Sequence, residues 1–165
     1  MENQKSAQIG YLFDKPLRHW WQGLATDRAS RAILRRCSTL DAVALSVPYQ
    51  RFYRYMLGCG WPPDASHAQL DKLAAIAGLL AHVETEAAER LPGTMSPANG
   101  DPLVSELRFR GLLKIEAIDD LFVSLRRTLP LTKHQANVEK LARDVYWWSD
   151  DVKKQWAYCY RWSSK

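Results

Sequence analysis

Arg28, Arg31 and Arg35 recur at i, i+3 and i+7, so on a helix they share one narrow arc, and Arg36 widens it to one side. Ile33, Leu34 and Cys37 occupy the other side. Almost no acid lies near them in the sequence. Guanidiniums crowded in this way repel one another unless an anion relieves them. Phosphate suits the role, because an Arg fork places two hydrogen bonds on its oxygens. The alternative is a face that water alone solvates. A second basic set runs from Leu107 to Trp162: Arg108, Arg110, Lys114, Arg126-Arg127, Lys140, Arg143, Lys153-Lys154 and Arg161, with Trp147-Trp148 among them. Arg110 and Lys114 form an i, i+4 pair, and Arg126-Arg127 fall outside the apolar stripe of their helix.

No residue set suggests bond-making chemistry. HExxH, GxSxG, Walker and GxGxxG patterns are absent. His19, His67, His82 and His134 lack metal-ligand spacing, and Cys37, Cys59 and Cys159 stand far apart as expected free thiols. The pairs Asp119-Asp120 and Asp150-Asp151 sit where helices should begin, where they complement the helix dipole. The expectation is a non-enzyme without metal or cofactor.

The elements that carry these residues read as helices. Asp27 caps a helix through Arg36. Ser38, with Asp41 three residues on, resembles a capping box, and Pro48 ends or bends the helix begun there. Tyr49, Phe52, Tyr53, Met56 and Leu57 form one stripe that stops at Gly58-Cys59-Gly60. Ser66 opens an Ala- and Leu-rich helix expected to pass Val83. Asp101-Pro102 reads as a cap and first helical position. Ile118, Leu121, Phe122, Leu125 and Leu129 form a further stripe. Another comprises Val138, Leu141, Ala142, Val145 and Trp148, with Asn137 as cap. Ser149 opens the last helix, whose inner face is Val152, Trp156 and Cys159. Trp148 belongs to the core on this reading, Trp20-Trp21 and Trp61 to core or hinge, and Trp147 to packing against another helix, a subunit contact or stacking on a base. The stretch Leu91–Pro102, LPGTMSPANGDP, has no periodicity. The fold class is all-α: two packed helical-bundle subdomains, 1–90 and 102–165, joined by a Pro/Gly-containing linker at 91–101.

The 165 residues carry a net charge of +5 and a pI near 9.2, with 47% apolar residues and seven tryptophans. Seven Arg and two Asp make Arg18–Arg54 basic, whereas Asp64–Asp101 holds six acids against Lys72 and Arg90. Basic regions flanking an acidic one fit a surface with an anion-facing side. No apolar run approaches the roughly 18 residues a bilayer span needs. MENQKSAQIG lacks an apolar signal core, so a cytoplasmic protein is expected.

RASRAILRR, Phe52–Arg54, Gly60-Trp61, ELRFRGLLK, FVSLRR and LARDVYWWSDDVKKQWAYCY occur in that order and spacing. The set, from about Trp20 to Trp162, resembles the CasB family, the small subunit of the type I-E CRISPR Cascade surveillance complex. The resemblance implies an all-helical, non-catalytic protein present in two copies. Its implied partners are crRNA, target DNA and subunits of the CasA, CasC, CasD and CasE types, and its basic surface would hold target and displaced strands in the R-loop. The nucleic-acid-binding residues so implied are Arg35, Arg36, Arg108, Arg110, Lys114, Arg126 and Arg127. Arg28 and Arg31 come from the helical spacing alone. Asp150-Asp151 make the turn after the tryptophans acidic where relatives can be basic. A helical adaptor whose basic faces bind acidic protein partners is the alternative.

Overall fold

The computed structural model describes residues 2–165, and its centre is helix α6 (His67–Leu80). Every residue from Leu73 to Leu80 is buried, and a helix apolar on all sides must be covered on all sides. Helices α4 (Leu40–Ala44), α9 (Ile118–Thr128) and α10 (Val138–Tyr146) cover most of it, and α3 (Arg28–Arg36) and α5 (Val47–Cys59) cover the rest. At Gly78 the approach is closest: a Cβ there would stand 2.8 Å from Phe122 and 3.0 Å from Val43. Helix α1 (Glu2–Leu12) packs on α2 (Lys15–Gly23), which packs in turn on α5 and α10. Helix α7 (Leu91–Met95) lies against α11 (Asp150–Cys159), and α8 (Glu106–Leu113) leads into α9. A 3₁₀ turn, Leu129–Thr132, comes directly after α9. Buried residues from Ile9 to Tyr160 belong to one hydrophobic cluster, to which both halves of the chain contribute.

The all-α reading holds, with one small addition. β1 (Thr85–Glu86) and β2 (Gln135–Ala136) pair in parallel, Thr85 opposite Gln135 and Glu86 opposite Ala136. Two residues per strand are too few to leave an alternating pattern. Ahead of β2, Lys133 and His134 both have φ of 58°, and a backbone bond from His134 to Leu129 O holds the turn.

Local hydrogen bonding fixes the helix starts. Asp27, Ser46, Asn137 and Ser149 each cap their helix through a side-chain oxygen, and Ser66 with Gln69 forms a full capping box. Gly60, at φ 116°, ends α5 in the left-handed conformation that glycine adopts without strain. Four boundaries differ from expectation. Thr39, not Ser38, caps α4, accepting from the Ala42 amide. α6 stops at Leu80 rather than past Val83. Ser105, not Asp101, caps α8, because Leu103 and Val104 turn back to bond Met95 O. Leu91–Met95 is helical because Pro92 pre-sets its first turn and both end residues reach the core.

Asp144 of α10 is the most consequential buried charge. Only 2% exposed, it accepts from Arg90 Nε and Nη2 at 2.8 and 2.7 Å and from Trp156 Nε1 at 2.8 Å. It thereby ties the entry to α7 and the core face of α11 to α10. Asp144→Ala leaves a half-buried guanidinium and an indole N–H without an acceptor. The expected cost is about 3 kcal/mol, read as a lowered thermal midpoint. Asp150→Ala, in the exposed first turn of α11, should cost under about 1 kcal/mol.

Candidate nucleic-acid interface

The α3 arginines do not share one fate. Arg28 and Arg36 are exposed at the two ends of the helix, and Arg31 is half-buried. Arg35 turns inward: its Nε donates to Ala81 O at 2.6 Å and its Nη2 to Glu84 Oε1 at 2.9 Å. That bond to Glu84, with the charges of Arg35 and Arg31, holds the Glu84 carboxyl below its usual range. The acid missing from the neighbouring sequence is therefore supplied by the fold, from the turn after α6. Arg126 is also committed, since its Nη2 donates to Arg35 O at 2.9 Å and its Nε is buried without a partner.

Arg127 is one residue, or about 100°, further round α9 and is exposed. It lines a cavity of about 460 Å³ together with Arg108 and Leu112 of α8 and Ile115 just beyond that helix. Arg110 and Lys114 are exposed on the far side, Arg110 about 200° from Arg108 on a helix. The C-terminal end of α9 thus joins two basic areas: Arg126 faces α3, and Arg127 faces α8. Among the described residues, Arg28, Arg36, Arg108, Arg110, Lys114 and Arg127 have no side-chain hydrogen bond or ion pair within 4.0 Å.

Several other cations of the Leu107–Trp162 stretch are engaged internally. Lys140 Nζ donates to Ala88 O at 3.1 Å, and Arg143 bonds Glu139 and Gly10 O at 3.0 Å each. Lys153 is buried, bonds Glu116 at 2.9 Å and stands over the Trp148 ring. Arg161 bonds Glu89 at 2.6 Å and Ser96 O at 2.7 Å. Trp147 packs edge-on against Phe13 and Tyr146 beneath Arg143, so packing is its observed role. Trp148 is half-buried rather than core, because α10 ends at Tyr146. It stacks edge-on to Trp156 and donates to Ile115 O at 2.8 Å. Trp61 is core, while Trp20 and Trp21 are half-buried against the core. The three cysteines are free.

A family model described as CRISPR-associated protein Cse2 matches residues 30–160. The chain belongs to the Cse2 family. Cse2 is the CasB family that the sequence resembles. The fold matches a chain in the crystal structure of E. coli Cascade bound to a PAM-containing dsDNA target. The TM-score is 0.64 at 21% identity, over 88% of this chain and 91% of that one, a likeness of fold. Comparison with curated proteins finds no match. Among the described residues of this Cse2-family chain, no helix is long and apolar enough to cross a membrane, and no group of three or more His, Cys, Asp or Glu could hold a metal.

The α8 part of the α8–α9 cavity's lining was not anticipated from the sequence. Its signal was present as Arg108, Gly111, Leu112 and Ile115 at i, i+3, i+4 and i+7, the spacing of one helix face.

Arg35→Ala leaves the buried Ala81 carbonyl without its donor. The substitution should destabilise the fold by about 2 kcal/mol in denaturant unfolding, whereas Arg36→Ala should stay within about 0.5 kcal/mol. His82, beside this contact, is 8% exposed. Burial, then the charges of Arg126, Arg35 and His134, lowers its pKa from the ordinary 6.5 to about 4. The unfolded chain therefore binds the extra proton first. Stability is full above about pH 6.5 and falls as pH drops towards 4. The carboxyls of Glu84, Glu89 and Asp27 are held low by hydrogen bonds from Arg35, Arg161 and Ser30 respectively, and lose their contribution only at lower pH. His82→Leu should flatten the decline between about pH 6.5 and 5 in a pH series of chemical unfolding.

Proposed function

We propose that this chain is the non-catalytic small subunit of a type I-E CRISPR Cascade surveillance complex in the cytoplasm, stabilising the R-loop in antiviral defence. Membership of the Cse2 family and the fold likeness to a chain of E. coli Cascade bound to a dsDNA target support the reading. The observation that carries it is that six of the cations the sequence points to are exposed and without acidic partners among the described residues: Arg28 and Arg36 of α3, Arg108, Arg110 and Lys114 of α8 and its C-terminal cap, and Arg127 of α9. Arg31 lies beside them. Arg35 and Arg126 act chiefly by holding α3, α6 and α9 in register. The partners are crRNA and target DNA, subunits of the CasA, CasC, CasD and CasE types, and a second copy of the chain.

In this role sequence recognition comes from guide–target pairing. The small subunit adds backbone contacts that tip a nearly balanced strand exchange towards the open state. Such contacts are indifferent to sequence and weaken steeply with salt, because each one releases condensed counterions.

The triple variant Arg36→Ala, Arg108→Ala, Arg127→Ala should fold normally and co-purify with the other subunits. In the assembled complex it should lower target-DNA affinity, and the slope of log affinity against log salt should fall by about 2–3. An unchanged slope and affinity would instead favour the adaptor reading, in which the basic faces bind acidic proteins.

A further inference from the structure

We propose that the α8–α9 cavity receives an unpaired nucleobase, so that this surface reads single-stranded character and not only phosphate charge; the inference rests on the nucleic-acid function above. The cavity, of about 460 Å³, is lined by the apolar side chains of Leu112, Ile115 and Leu131, with Arg108 contributed by α8 and Arg127 by α9. That volume falls within the range of ligand pockets, about 300–1,000 Å³. A surface that met phosphates alone would need the two guanidiniums but gain nothing from an apolar lining in the same cavity. A base needs both. Its rings bury apolar area against that lining, its faces stack on guanidinium planes, and its own phosphates meet the same charges.

Charge separates this cavity from its neighbours. Four others carry carboxylates in their walls: Asp27 beside Arg51, Glu106 near the C-terminal tail, Glu89 with Asp101, and Asp71 near Tyr49. The α8–α9 cavity has none, and neither arginine is tied to an acid within 4.0 Å among the described residues. A duplex base cannot enter, because it is stacked on both faces and paired along its edge. Only an unstacked base fits, as in other single-strand readers. The side-chain group in the wall best suited to meet a base edge is the Ser124 hydroxyl, both donor and acceptor, which accommodates any of the four bases. The pocket therefore selects for strand state and not for sequence.

Gly111 provides the test. It lies in the cavity wall on α8, and a Cβ built on it meets nothing within 4 Å, so a large side chain there fills the pocket without removing either arginine. The purified full-length chain is titrated at low salt, by fluorescence anisotropy, with a labelled oligo(dT) strand and with an abasic strand of equal length. The intact strand should bind about tenfold more tightly. Gly111→Phe, checked for folding by circular dichroism, should bring oligo(dT) to the abasic affinity and leave abasic binding unchanged. Ser124→Leu is a second plug should the first variant not fold. Equal affinity for the two strands, or oligo(dT) binding unaffected by a folded plug, would overturn the base pocket while leaving the backbone-contact function intact. Failure of the unaltered chain to bind either strand would overturn both.

Discussion

A helix buried on every side also buries its end, and the last carbonyls of a helix have no partner of their own. Helix α6 terminates inside the protein, where Ala81, His82 and Val83 are all buried. Three donors from three different elements meet the carbonyls there. Arg35 Nε of α3 reaches Ala81 O, His134 Nδ1 reaches His82 O at 2.8 Å, and Trp21 Nε1 of α2 reaches Val83 O at 2.8 Å. Because a carbonyl only accepts, His134 must carry its proton on Nδ1. These bonds fix the positions of α2, α3 and the turn before β2 relative to the central helix. An unmade bond at such a site costs the full desolvation of the carbonyl, which is why the arrangement is restrictive.

The same constraint decides which cations remain for a polyanion. Arg35 lies in the last turn of α3, so its own carbonyl has no partner within the helix, and Arg126 of α9 supplies the donor. His82 lies between these guanidiniums and stays neutral. Arg127, one residue on, is left outside facing α8. Glu86, two residues beyond Glu84, extends the pattern, bonding Arg18 of α2 and accepting from the Val138 amide at the start of α10. Three acids of the central acidic segment thus work as partners within the chain: Glu84 for Arg35, Glu86 for Arg18 and Glu89 for Arg161. The unevenness of charge along the chain is partly cancelled in three dimensions, while Arg28, Arg36, Arg108, Arg110, Lys114 and Arg127 have no acid within 4.0 Å among the described residues.

Most of the helical architecture was legible because its signals are local. Asp27, Asn137 and Ser149 cap within three residues of themselves, and stripes such as Leu121, Phe122 and Leu125 record a burial that periodicity reports directly. Asp101-Pro102 misled because a good cap is only permissive. The backbone there is drawn back to Met95, and the helix waits for Ser105. Trp148 misled because the 3.6-residue pattern was extended past the point where α10 stops.

The sequence by itself determined the all-helical class, most of the helix faces and the family resemblance, since each depends on residues near one another in the chain or on their order. Only the tertiary structure decided the standing of individual arginines. Arg35 and Arg36 are indistinguishable neighbours in sequence, yet one caps a buried carbonyl 46 residues away and the other is exposed. Arg126 and Arg127 divide in the same way. The reason is physical: whether a charge is free depends on which acids and carbonyls the fold brings within about 3 Å of it, and that distance is set by packing across the core.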